Sequence, residues 1–457
     1  MTSVTDEAPD WESPATDRSF LDAAVDEAGA IGFVAVGDGA DDDLRYLTRF
    51  RGPDRAYAFV HTVSGRADDA ASGFTGESVL CAPRGFETAA TQQFDGRVAA
   101  DRAGAPAGKR AAAVLDAARP DSDDRDADAH AGGDVATPTV LVPPTIPHDA
   151  AVYLERAGYE LQSTRAVTAA RTRKSDVEIE AIRAVQEAAT AGVRRAEQIL
   201  AAAEVDGGDS DRGRSGDGDR VEGASGSGDG DGDGDGDGDG DELHWRDAPL
   251  TVERLQRALN AELARHGVSD AGNTVVAAGA SESDGQQRDG SVPNRTDEPV
   301  RADEPVRVEV APRGSSGYHG ALARTVVVDS DGGWDRRAYV AVEAALEAGL
   351  DEIEAGATAA AVAREADAEL AAFGFAPTTG VELTTGPLDV GHGVGLSRRE
   401  APSLRGDAEL EAGMVVAVAP AVAEAAQGCV RLGALVAVTE SGYERLGDGS
   451  HSFSPRA

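Results

Sequence analysis

The 36 residues from Asp206 to Asp241 constrain this chain more than any other stretch. They hold twelve Asp, one Glu (Glu222) and three Arg, with no aromatic residue, and they end in an uninterrupted Asp-Gly alternation from Asp229 to Gly240. Such a sequence has too little apolar surface to offset the conformational entropy lost on ordering. It cannot belong to a core, so whatever folds must fold on either side of it. We expect a disordered acidic insertion over 206–241. Calcium binding by the run is the sharper alternative, but neither the EF-hand spacing nor the GGxGxD nonapeptide is present.

The insertion carries a formal charge of −10 out of −39, which leaves −29 on the rest, so the acidity belongs to the folded part as well. Only two residues are lysine, Lys109 and Lys174. A surface of this kind repels phosphate backbones and excludes nucleic-acid binding through a general basic face. It suits concentrated salt instead, because the Debye length falls to about 3 Å near 1 M and screens the self-repulsion. That points to a halophilic setting. Cys81 and Cys429 give neither a disulfide framework nor zinc spacing and are expected as buried apolar side chains. No basic start with an apolar run opens the sequence, and no segment reaches the ~20 apolar residues of a membrane span, so a cytoplasmic protein is expected.

Before the insertion, Ile31–Val36, Tyr57–Val60, Ser78–Ala82 and Thr139–Val142 read as short strands alternating with helical patterns. They imply an α/β domain over 18–163, after a disordered tail over 1–17 and with a polar loop near 119–134. Ser175-Asp-Val-Glu178 then forms a capping box that opens a helix. Its apolar stripe is Ile182, Val185, Ala189, Val193, Ala196 and Leu200. Further helices are expected over 252–266, 336–350 and 358–373, with strands at 306–310, 325–328, 415–418 and 434–438. These give an α+β second domain over 164–205 and 242–447, followed by a tail over 448–457.

Three motifs fall in order in the last third: Gly391-His-Gly-Val-Gly-Leu396, Leu410-Glu-Ala-Gly-Met-Val-Val416 and Leu435-Val-Ala-Val-Thr-Glu-Ser-Gly-Tyr443. Upstream stand Asn273-Thr-Val-Val-Ala-Ala-Gly279, Gly317-Tyr318 and Arg324-Thr325, and a helix that begins Lys174-Ser-Asp-Val-Glu-Ile179. Together these resemble the creatinase/aminopeptidase P family of "pita-bread" metallopeptidases. The resemblance implies a creatinase-type N-terminal α/β domain followed by an α+β pita-bread domain. It also implies two divalent metals, such as Mn, Co or Zn, held by two Asp, one His and two Glu. Carboxylates suit that task, since they bridge two cations while the metals polarise a carbonyl and supply hydroxide.

Carried onto this sequence, the two aspartate positions fall on Val310 and Ala321, the histidine on His392, and the glutamates on Ala419 and Gly433. One ligand of five is kept. The auxiliary histidine positions fall on Arg399 and Gln286, although the Glu after the first is present as Glu400. Glu309 adjoins Val310, but on a strand neighbouring side chains point to opposite faces, so Glu309 is expected to turn away from the site. A lone imidazole cannot hold a bimetal centre, since a catalytic zinc takes about three protein ligands.

No metal cofactor is therefore expected, and the departures imply a non-hydrolysing relative used for peptide or protein binding or for regulating an active paralogue. It could pair with that paralogue or with itself. The alternative is a metal-dependent aminopeptidase or Xaa-Pro dipeptidase with displaced ligands. A metal-free amidinohydrolase resembling creatinase is disfavoured by Gln286. The candidate pocket residues are His392, Tyr318, His319, Arg324, Arg399 and Arg431, with an anion as the ligand the arginines would suit. Buried arginines need partners, and Glu309 is a candidate for Arg324 or Arg431.

The charge imbalance makes one outcome checkable. The thermal midpoint should rise between dilute buffer and molar KCl, as followed by circular dichroism; a higher midpoint in dilute buffer would refute the salt-adapted reading.

Overall fold

In the N-terminal sheet, apolar residues fill successive positions because the strands are buried on both faces. Phe33, Ala35, Phe59 and Leu80 point to one face, and Val34, Val36, Ala58, Val60, Val79 and Cys81 to the other. The computed structural model describes residues 16–63, 76–100, 104–119, 137–205, 242–279, 298–376, 382–383, 386–387, 389–424 and 427–456. The expected insertion over 206–241, nearly all of the loop near 119–134, residues 1–15 of the expected tail and Gln286 lie outside the described residues.

The strands of this sheet are β1 (Gly32–Gly37), β2 (Tyr57–Thr62), β3 (Glu77–Ala82), β4 (Arg97–Ala100), β5 (Thr139–Val142) and β6 (Glu160–Ser163). Their spatial order is β4-β3-β2-β1-β5-β6. The central pairs β1–β2 and β2–β3 are antiparallel and the outer pairs are parallel. Helices α1 (Ser19–Glu27), α2 (Asp42–Thr48) and α3 (Glu87–Gln93) cover one face, and α4 (Ala107–Ala118) and α5 (His148–Arg156) the other. Cys81 is buried here and Cys429 in the second domain, both as free thiols.

Helix α6 (Ala166–Thr172) leads into α7 (Asp176–Ala201), which has the reciprocal Ser175–Glu178 capping box. All six residues of the expected stripe are buried along α7. All of them but Ile182, which packs with Tyr318, Val394 and Val415, lie against α8 (Val252–Arg265) and a three-stranded sheet of β9 (Val275–Ala278), β10 (Pro305–Val310) and β11 (Leu322–Val327). Between α7 and α8, the short pair β7 (Glu204–Val205) and β8 (Leu243–His244) joins the chain on either side of residues 206–241. The second half places α9 (Trp334–Asp351) and α10 (Ala359–Ala372) on a five-stranded sheet.

After the short pair β12 (Glu382–Leu383) and β13 (Gly386–Pro387), that sheet is built from β14 (Gly391–Gly393), β15 (Glu400–Ser403) and β16 (Val415–Val418). The hairpin β17 (Ala421–Glu424) and β18 (Gly428–Arg431) follows, and β19 (Ala434–Thr439) and β20 (Gly442–Arg445) complete the sheet in the order β15-β14-β16-β19-β20. Two sheets, each backed by a helix pair, thus face one another, and an Ala323–Gly433 bridge ties them. Residues 448–456, expected as a tail, are instead docked. The Phe453 carbonyl accepts from Val327 N at 2.9 Å and its ring lies 5.3 Å from Tyr339. Thr16 and Asp17, also expected in a tail, are bonded too, Thr16 N to Asp95 at 2.8 Å.

A buried ion cluster joins the two domains. Arg171 on α6 reaches Asp43 on α2 at 2.7 Å, Ser397 at 2.8 Å and Glu400 on β15 at 3.0 Å, while Lys174 donates to the other oxygen of Glu400. The Lys174 side chain is 2% exposed and that of Glu400 8%. Burial pushes the Lys174 amine below its ordinary value and Glu400 opposes the shift. Removing one partner of a buried pair leaves an uncompensated charge, so Glu400→Ala should cost about 3–5 kcal/mol. Arg183→Ala, which breaks only exposed pairs, should cost less than about 1 kcal/mol. Thermal unfolding of the two variants side by side checks the contrast.

Candidate functional site

Close strand approach explains the Gly-His-Gly motif. A Cβ on Gly391 would lie 2.1 Å from the Ala417 carbonyl oxygen on β16, and one on Gly393 would lie 2.2 Å from that of Ala401 on β15. Only glycine lets β14 sit between its neighbours, and the residue between, His392, is held with its ring toward a cavity of about 300 Å³ between the two sheets. Its Nδ1–H donates to the Gly393 carbonyl at 3.0 Å. Burial pushes the imidazole down to about 4, with the hydrogen bond to Gly393 opposing and Arg399 reinforcing. At neutral pH the ring is uncharged and Nε2 is an acceptor.

The cavity is lined by all five positions singled out from the sequence, Val310, Ala321, His392, Ala419 and Gly433, so the tertiary structure brings them together. What it does with them differs from expectation at Val310. Strands β10 and β11 pair with Glu309 opposite Ala323 and Val310 opposite Leu322. The Val310 side chain packs with Val306, Val308 and Leu322 in the core beneath α7 and α8. By strand alternation, Arg307 and Glu309 then face the cavity. The expectation that Glu309 turns away is thus corrected, because the cross-strand register, and not the count along the chain, decides which face a side chain takes.

Glu309 brings one carboxylate into the cavity, and two guanidiniums hold it. Arg307 donates to Oε1, and Arg431 Nη1 lies 3.3 and 3.2 Å from the two oxygens. The Arg307 side chain is 2% exposed and burial pushes its pKa down to about 10, still well above neutrality. Arg431 also donates to the carbonyls of Ala419 at 3.2 Å and Asp389 at 3.0 Å. At the exposed end, Arg399 pairs with Asp389 at 2.7 Å, and Arg398 lines the wall with no hydrogen-bond or ion-pair partner among the described residues.

Other candidates lie elsewhere. Arg324 turns away and donates to the carbonyls of Ala323, Gly433, Ser450 and Asp448. Tyr318 hydrogen-bonds Glu178, and His319 donates to the Ala311 carbonyl at 3.2 Å; none of the three lines the cavity. Glu400 is committed to the Lys174–Arg171 cluster. Sequence reasoning missed Arg307 and Arg398. A signal for Arg307 was present: in Val306-Arg-Val-Glu-Val310 the charged residues alternate with valines, so Arg307 and Glu309 must share a face.

The donors do not fit a bimetal centre. Among the described lining residues the strong donors are the His392 Nε2 and Glu309, with the Asn273 amide oxygen beside them, and Glu309 already accepts from two guanidiniums. Among the described residues no three His, Cys, Asp or Glu side chains converge as a metal site. A dication would also meet four lining arginines. The Gly433 position is tightly packed as well. A Cβ there would lie 3.1 Å from that of Ala323 and 3.2 Å from that of Ala419.

The facing sheets with paired helices, set behind a six-stranded α/β domain, define the two-domain pita-bread architecture. Residues 243–440 match the model for metallopeptidase family M24, so the C-terminal domain is similar to that family. The fold is similar to that of the Xaa-Pro dipeptidase from Bacillus anthracis, with TM-score 0.68, 18% identity, and coverage of 95% of this chain and 98% of that one. It is also similar to the prolidase from Pyrococcus furiosus, with TM-score 0.65, 16% identity, and coverage of 94% and 99%. The X-Pro aminopeptidase from Thermotoga maritima gives TM-score 0.66, 15% identity, and coverage of 94% and 99%. By sequence, no curated protein matches the chain.

The His392 environment gives a direct check. Because its folded pKa lies below the ordinary 6.5, the unfolded chain takes up the proton first, and this residue's contribution to stability is lost as pH falls from about 6.5 toward about 4. The imidazole resonance of His392 in heteronuclear NMR should stay that of the neutral Nδ1–H form down to about pH 5; protonation near 6.5 would contradict the buried placement.

Proposed function

We propose that this protein is a non-hydrolysing M24 member whose inter-sheet cavity is kept for binding, as a recogniser of a peptide or protein partner or as a regulatory subunit of an active paralogue. One observation carries the reading: among the described residues lining the cavity the one carboxylate, Glu309, is neutralised by Arg307 and Arg431, while Ala321, Ala419 and Gly433 offer no donor oxygen. Hydrolysis in a metal peptidase needs a polarised carbonyl and an activated water, whereas this cavity has uncharged side chains without donor oxygens at Ala321, Ala419 and Gly433 and is lined by arginines. The cavity itself, the strand glycines around it and its arginine framework are intact, which supports continued use of the site for binding. The acidic composition supports work in a salt-rich cytoplasm, and no divalent-metal cofactor is required.

The test is direct. Incubation with Mn, Co or Zn in molar KCl followed by gel filtration and metal analysis should leave no stoichiometric metal. Xaa-Pro dipeptides and Xaa-Pro-initiated peptides should be recovered intact under the same conditions. Metal-dependent turnover lost in His392→Ala would establish the displaced-ligand peptidase instead.

A further inference from the structure

The cavity has two cationic ends at different depths. Arg307 and Arg431 form the inner one, with side chains 2% and 11% exposed. Arg398 and Arg399 form the outer one, on the exposed turn after β14, where the Arg399 side chain is 42% exposed. Between them the walls include Val275, Ala321, Ala417 and Ala419. Among the described residues the lining sets one carboxylate, Glu309, against four guanidiniums, with Asp389 paired to Arg399 just outside it, in a chain whose formal charge is −39.

We infer that this cavity binds a small organic dicarboxylate, one carboxylate taken by the Arg307–Arg431 pair and the other by Arg398 and Arg399. The inference rests on the reading of the cavity as a retained binding site. Three observations select the ligand chemistry. The inner pair already cradles a carboxylate, that of Glu309, and planar guanidiniums match carboxylates with paired hydrogen bonds. The apolar walls favour a carbon chain over a bare inorganic anion. At about 300 Å³ the cavity stands at the small end of ligand pockets, which excludes a large ligand.

Glu309 acts as an internal counter-ion that the ligand displaces or sits beside. It stabilises the empty protein and lowers the affinity for an outside carboxylate. This gives an unusual sign: removing an acidic side chain from the site should tighten anion binding, whereas in a metal-dependent enzyme the same change would remove a ligand.

The test is calorimetry on the full chain, treated with EDTA, at constant KCl. Succinate and glutarate should bind one-to-one and raise the thermal midpoint, with succinamide, their neutral counterpart, showing no heat. Arg398→Gln and Arg399→Gln should each weaken succinate about tenfold while leaving the midpoint of the empty protein in place. Glu309→Gln should lower that midpoint and tighten succinate by about tenfold.

No binding of either dicarboxylate to the wild-type chain overturns the inference. So does equal binding of succinamide, or phosphate binding as tight as succinate. Weakened succinate binding in a folded Glu309→Gln overturns the counter-ion role. Because EDTA is present throughout, binding here together with metal-dependent hydrolysis elsewhere would refute the non-hydrolysing reading and leave this inference standing. Intact Xaa-Pro peptides with no dicarboxylate heat would do the reverse.

Discussion

The structure depends on the small set of charges buried between its two domains. Glu400 accepts from Lys174 and Arg171, and Arg171 spans to Asp43 on the N-terminal domain, so the strand that flanks Gly-His-Gly is tied to the connector and to α2 at once. Buried ions are costly to desolvate and are tolerated only when every partner is in place. The cluster therefore fixes one relative placement of α2, α6 and β15. It also withdraws Glu400 from chemistry: a carboxylate that stands beside the cavity in sequence is spent on holding the domains together.

A second set of charges shapes the cavity. Val310, Ala321, Ala419 and Gly433 are small or apolar, and the methyls of Ala323 and Ala419 lie close about Gly433. Arg431 and Arg307 then need a counter-ion in a place of low dielectric, and the register of β10 supplies Glu309. The result is a site whose electrostatics are opposite in sign to a dication site while its walls and strand packing keep the family's form. That combination links the fold, which it shares with prolidases, to the proposed binding role, which it does not inherit from them.

The order of elements was legible from local pattern. The capping box at Ser175, the α7 stripe and the valine-rich strands depend on neighbours within a few residues, and the structure has each of them. Of the positions the family motifs flank, Ala321, His392, Ala419 and Gly433 line one cavity, while the Val310 side chain packs in the core. The docking of residues 448–456 was not legible, because their partners, Val327, Tyr339 and Arg324, lie more than a hundred residues away in the chain.

By itself the sequence determined the fold class and the absence of side-chain donor oxygens at Ala321, Ala419 and Gly433, since composition and local spacing are properties of the chain alone. Only the tertiary structure decided that Glu309 faces the cavity and Val310 the core, that Arg307 and Arg398 belong to the site, and that Arg324, Tyr318 and His319 do not. The physical reason is that the face a strand residue presents is set by pairing with another strand, and a shift of one residue reverses it. A charged side chain's partners are likewise chosen by the contacts folding creates, and no spacing along the chain encodes them.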